Sequence, residues 1–267
     1  MEDKDMPELE SFLARAEEEA NRTVKMAQVT LQAARKVQKA ARDGNLRDLS
    51  AAFEHMEKSL EVLQKQTIAS RGAWVFNEES YLGSRAYIEE LIGLARGSGL
   101  DLYERDDRLY SYPVLVRILP KERAVRIDKQ FERRLRPSVL VAHLKDIQRR
   151  PPRFAPEAFL KALFGAWERL VKEKPLEGQF ATVSLYDVYE VLTLLPGQNR
   201  EYTRQEFARD IYLLDRSGHV RLPGDWSASF PASTGTKFGK SKVLSVVKED
   251  GTLKEYYGIA FLKDKAS

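Results

Sequence analysis

Over the first 70 residues, apolar side chains recur every three or four positions, and the repeat is broken only once. Between Pro7 and Arg42 the row is Leu9, Leu13, Ala16, Ala20, Val24, Ala27, Leu31, Ala34, Val37 and Ala41, a helical period. Asp43-Gly44-Asn45 interrupts it, and Leu46, Leu49, Phe53, Met56, Leu60 and Leu63 resume it as a 3-4 repeat. Two long helices joined by so short a break must fold back as an antiparallel hairpin. At 1.5 Å per residue the first helix is on the order of 50 Å long and outruns the second. Its Ala-rich seam lets a neighbour approach closely, so the hairpin is expected to mediate homo-oligomerisation or to dock a protein partner.

Beyond a further helix at about Glu78 to Arg96, the apolar period changes to two at Gly99. Leu100 to Glu104, Leu109 to Leu119 and Ala124 to Ile127 read as a three-stranded meander, turned at Asp106-Asp107 and Pro120-Lys121. Pro113 calls for a bulge or an edge position in the middle run, and Pro151-Pro152 marks a hinge. The expected fold class is α+β, mostly α. Its parts are a coiled-coil-like hairpin over 1–72, an α/β middle over 73–150, and a C-terminal unit over 151–267.

That last unit has the most specific local signals. Ala155 to Lys172 is amphipathic through Phe159, Leu163, Phe164, Trp167 and Leu170, and Phe180 to Val183 follows as a short strand. Ser184 caps a helix whose inner face is Leu185, Val188, Tyr189, Leu192 and Leu195, stopped by Pro196-Gly197. Thr203 and Glu206 form a capping box for the next helix, which Gly218 ends. Phe207, Ile211 and Leu214 fall on its buried side. Gln205, Arg209, Tyr212 and Arg216 line up opposite as an exposed stripe, with Arg204 beside them. Arg and Gln make bidentate contacts to base edges, and an α-helix fits the major groove. His219 to Leu222 alternates like a strand. A loop over 223–241 then leads to Lys237, Lys240 and Lys242, placed to meet phosphates. Lys242 to Val247 and Leu253 to Leu262 read as a hairpin turned at Glu249-Asp250-Gly251.

This order of elements, over roughly residues 155–262, resembles the winged-helix superfamily. The resemblance implies a recognition helix at Thr203–Gly218 and a hairpin wing, hence duplex DNA as partner. Winged helices also dock proteins, including in subunits of chromosome-organising complexes. The alternative is therefore a non-catalytic assembly subunit of such a complex or of a multi-subunit DNA-processing complex.

Charge distribution favours a polyanion at one end. Of a net +4, residues 1–100 hold 14 Lys and Arg against 17 Asp and Glu, while the remainder holds 30 against 23. The most basic window places Arg133, Arg134 and Arg136 before a helix start at Pro137-Ser138, where phosphate would meet free N–H groups. Arg149 and Arg150 lie at that helix's far end.

Enzyme chemistry is sparsely supported. With no Cys, thiolate catalysis and Cys-based zinc sites are excluded, and His55, His143 and His219 are too scattered for a His-rich metal site. Thr234 to Ser241 ends like a phosphate-binding loop, but a strand-like run follows it where a helix is required. A metal-dependent nuclease would draw on Glu89 or Glu90, Asp101 or Asp107, and Asp128 with Lys129. Adjacent Asp128 and Lys129 would face opposite sides of a strand. No catalytic residue, metal or small-molecule cofactor is expected. The acidic start, Met1 to Asp5, is no signal peptide, and no apolar run nears the roughly 20 residues of a membrane span. A soluble cytoplasmic or nucleoid-associated protein is expected.

Overall fold

A computed structural model describes residues 8–150, 154–173, 182–231 and 243–263. By its contacts the chain divides into two units. The first holds residues up to Leu94 with Leu119–Ala124 and Arg133–Leu140, and the second holds the rest. The segment expected as a separate middle is thus shared between them, and the hinge at Pro151-Pro152 lies outside the described residues. No described helix is long and apolar enough to cross a membrane.

The first unit is built on the expected hairpin, α1 (Leu9–Asp43) and α2 (Leu46–Gly72). Gly44 ends α1 in the left-handed region, φ 68°, where a side chain would be strained. The Asn45 side chain then accepts the Asp48 N–H to start α2. The seam between the helices differs from the expected one. It keeps Val37, Leu49, Met56 and Leu63 but otherwise runs through Thr23, Met26, Thr30, Ala33 and Ala40 against Ala52, Ser59, Gln66 and Ser70. It is held partly by hydrogen bonds: Thr30 Oγ1 donates to the Ser59 carbonyl (3.2 Å) and Gln66 Nε2 to Glu19 (2.7 Å). Val24, Leu31, Phe53 and Leu60, expected inside it, are 44–54% exposed.

Where α1 starts, Phe12 packs between Trp74 and Phe76, with ring centroids 5.0 and 4.9 Å away. The helix expected at Glu78–Arg96 is two, α3 (Glu78–Gly83) and α4 (Arg85–Gly97). Ser84 between them is extended, and its hydroxyl accepts the Ala86 N–H.

In the second unit the meander has five strands, not three. They are β1 (Tyr103–Arg105), β2 (Arg108–Ser111), β3 (Val114–Leu119), β4 (Ala124–Ile127) and β5 (Gln130–Glu132), paired in that order. Leu109–Leu119 is not one strand, because Tyr112-Pro113 folds it into a hairpin. Asp106 and Asp107 both take positive φ, as a tight two-residue hairpin turn requires. Asp128, expected on a strand, sits at φ 50° in the β4–β5 turn.

Helices α5 (Pro137–Gln148), α6 (Pro156–Glu173), α7 (Leu185–Leu192), α8 (Gln198–Glu201) and α9 (Arg204–Ser217) follow. Short α8 occupies the connection expected between two longer helices. Strand β6 (Val183–Ser184) precedes α7. After α9 come β7 (Arg221–Leu222), β8 (Trp226–Ser229), β9 (Leu244–Val247), β10 (Leu253–Tyr256) and β11 (Gly258–Lys263). β8 lies inside the stretch expected to be loop. The expected C-terminal hairpin divides at Tyr257: β10 pairs with β9, while β11 leaves to lie between β6 and β8 in the sheet β6-β11-β8-β7. One core serves this unit, with Leu163, Leu185, Val188, Phe207, Ile211, Leu214 and Ile259 all fully buried and Tyr110 and Leu115 joining from the meander.

The β9–β10 turn has a titration signature. Asp250 accepts from Thr252 Oγ1 (2.6 Å), the Thr252 N–H (2.9 Å) and Lys248 Nζ (3.0 Å). These bonds stabilise the carboxylate and hold its pKa at about 2. A depressed pKa stabilises the turn above the ordinary value of 3.8 and loses that contribution as pH falls from there towards 2. A carboxyl NMR titration should put the Asp250 midpoint near 2, and Thr252→Val should return it towards the ordinary value.

Candidate nucleic-acid interface

The expected recognition helix is α9, and its ends form as its residues dictate. Thr203 accepts the Glu206 N–H, the Glu206 carboxylate accepts the Thr203 N–H (2.7 Å), and Gly218 closes the helix at φ 69°. The exposed stripe does not form. Arg209 has a side chain only 14% exposed and bridges two carboxylates, Asp128 in the β4–β5 turn and Asp210 (Nη2–Oδ1 2.7 Å). Burial alone would lower the Arg209 pKa; Asp210 and Asp128 raise it instead. Burial pushes Asp128 up against the opposing pull of Arg209 and the Leu115 N–H. Tyr212 is buried edge-on to Tyr112, with centroids 5.9 Å apart. Arg216 is exposed but pairs with Glu249 and lies over the Tyr112 ring. Gln205 is half-buried. The helix period was right; the meander and the β9–β10 hairpin pack on the side expected to face a groove. Asp215 fixes the second of these through Lys254 and Tyr256, both at 2.6 Å.

The other expected contacts are dispersed. Arg204 is exposed, its guanidinium 4.9 Å from the Tyr186 ring centroid. Arg133 and Arg134 are exposed. Arg150 and Arg216 are brought to one cleft with Tyr112, Gln148 and Phe154, and Arg149 is exposed beside it. The phosphate site expected at the start of α5 is taken by the chain's own Glu10. That carboxylate accepts from Arg136 Nε (2.7 Å), the Ser138 N–H (2.9 Å) and Ser138 Oγ (2.9 Å), and Arg136 also pairs with Glu17. Lys237, Lys240 and Lys242, with the Thr234–Ser241 stretch, lie outside the described residues.

Three of the acids named for a nuclease have structural partners. Glu89 pairs with Arg85, Glu90 is buried and accepts the Leu9 and Glu10 N–H groups, and Asp128 holds Arg209. Among the described residues no three Asp, Glu or His side chains are placed to share a metal ion.

The sequence reading missed a row of arginines across the meander. In the β2–β3 register Leu109 faces Val116, which sets Arg108 opposite Arg117, while Arg105 faces Arg108 across β1–β2. Arg126 on β4 joins Arg108 and Arg117 in lining a cleft whose other wall is Thr203 and Glu206 at the start of α9. Among the described residues neither Arg108 nor Arg117 has a carboxylate within ion-pair distance. The acids in the cleft are already engaged: Glu206 in the capping box and Asp128 with Arg209 and the Leu115 N–H. Burial and then the neighbouring Arg117 push the Arg108 pKa down. Like charges opposed across a sheet destabilise it, so the row stores repulsion that a bound anion would relieve. One signal was available, because 108, 117 and 126 recur at nine-residue spacing, the repeat of the meander. Compared with known proteins, the chain matches no family model, no curated protein and no solved structure.

Proposed function

We propose that the second unit is a winged-helix module that binds duplex DNA through its phosphate backbone, not by reading bases with α9. The winged-helix reading is supported by the order α6, β6, α7, α9, β8, β11, with β11 between β6 and β8. The meander and the β9–β10 hairpin are additions to that plan. DNA binding is carried by one observation, the row Arg108, Arg117 and Arg126 beside the start of α9, two of them without acidic partners. Exposed Arg204, on the first turn of α9, lies instead over the Tyr186 and Tyr189 rings of α7. Guanidinium groups facing phosphates release counterions and give affinity that falls steeply with salt and ignores sequence. No reaction is assigned.

The test is fluorescence anisotropy of a labelled duplex across a salt series. Wild type should bind at about 50 mM salt with little sequence preference. Arg108→Ala with Arg117→Ala should lower the slope of log affinity against log salt by about two units, one per lost phosphate contact. Failure to bind at low salt, or binding indifferent to both substitutions, would favour the assembly-subunit reading.

A further inference from the structure

The helical hairpin leaves an apolar row uncovered on one side of a seam that mixes polar and apolar residues. On α1 the seam residues Glu19, Thr23, Met26, Thr30 and Ala33 are each followed by a residue turned about 100° to one side. Those followers are Ala20, Val24, Ala27, Leu31 and Ala34, without a charge among them. The residues preceding the seam on the other side are Glu18, Arg22, Lys25, Val29 and Gln32. On α2 the followers of Ala52 and Ser59 are Phe53 and Leu60. In an antiparallel pair, the same rotation from the seam brings both rows to one side. Val24, Leu31, Phe53 and Leu60 therefore share a face, with exposures of 54, 52, 44 and 54%. The α1 row has the 4-3-4-3 spacing of a knobs-into-holes seam.

We infer that a second copy of this chain covers this face, α1 packing antiparallel on α1 about a two-fold axis at Ala27. The pattern is self-complementary. Ala20 and Ala34 stand seven residues to either side of Ala27, so alanine meets alanine across the axis, and Val24 meets the region of Leu31. A two-fold interface requires this reciprocity, residue i against j and j against i. Charge follows the same centre. From Leu9 to Glu19 α1 holds four acids against Arg15 alone, whereas from Arg22 to Arg42 it holds six bases and no acid. Antiparallel pairing sets the acidic end of one α1 against the basic stretch of the other; parallel pairing would stack like on like.

Sedimentation equilibrium on the full chain at up to about 100 μM should give a dimer. Ala27→Glu, which sets two carboxylates on the axis while altering only an exposed position, should return the monomer with helicity unchanged. Leu31→Glu, on the same exposed row, should also return the monomer, whereas Glu18→Lys, on the side of α1 turned away from that row, should leave the dimer intact. Because the chain contains no cysteine, Ala27→Cys gives an unambiguous cross-link to its own copy on mild oxidation. A wild-type monomer at 100 μM would overturn the inference. So would a dimer that survives Ala27→Glu or Leu31→Glu, or one that Glu18→Lys abolishes.

Discussion

Arg209→Ala should lower the unfolding free energy of the second unit by about 3 kcal/mol, because it strands buried charge. Asp210 and Asp128 have side chains 13% and 32% exposed and share this guanidinium. Without it, two carboxylates remain close together with little solvent to screen them. Asp128 also fixes the β4–β5 turn by accepting the Leu115 N–H at 3.0 Å, so the loss should spread into the meander. Urea unfolding followed by Trp167, in this unit's core, and Trp226, packed against it, would measure it. Arg209→Ala combined with Asp128→Asn should recover part of the loss, since one unpaired charge leaves with the partner. A change below about 0.5 kcal/mol would mean that Arg209 is held loosely and free to reach a groove. The experiment thus separates a structural arginine from a base-reading one without any DNA present.

What could be read from the residues followed the range of the interactions. The break at Gly44, the capping box at Thr203 and Glu206, and the end of α9 at Gly218 involve neighbours within a few positions, and each formed as expected. The rotation of the hairpin was not legible, because two adjacent rows of α1 both satisfy the helical period. The row that takes the seam mixes polar and apolar residues, and it is held partly by hydrogen bonds from Thr30 and Gln66 that apolar counting ignores. The meander was undercounted for a related reason: two-residue turns at Tyr112-Pro113 and Asp128-Lys129 leave no polar stretch to announce them. The α9 stripe failed furthest. Arg209 meets Asp128 across 81 positions and Arg216 meets Glu249 across 33, and no local pattern distinguishes an arginine awaiting phosphate from one awaiting a carboxylate of its own chain.

Glu90 gives the second large effect, at the start of α1. Its carboxylate, 9% exposed on α4, accepts the Leu9 N–H (3.1 Å), the Glu10 N–H (2.8 Å) and the Tyr81 hydroxyl (2.7 Å). The first N–H groups of a helix have no partner within it, and Glu8, which precedes α1, offers no side-chain cap. A carboxylate from about 80 residues away does that work, with added attraction to the positive end of the helix dipole. Glu90→Ala leaves two backbone donors and a buried hydroxyl unmatched, and should cost about 3 kcal/mol. Glu90→Gln keeps one acceptor oxygen but turns an NH2 donor towards the other partner, so it should cost about 2 kcal/mol, less than Glu90→Ala. Hydrogen exchange at Leu9, Glu10 and Phe12 would locate the effect: protection there should collapse in Glu90→Ala and fall only in part in Glu90→Gln, while the α1–α2 seam near Thr30 keeps its protection in both. Equal losses in the two variants would show that one acceptor oxygen does not anchor the helix. Unchanged protection in both would show that the packing of Phe12 between Trp74 and Phe76 suffices alone.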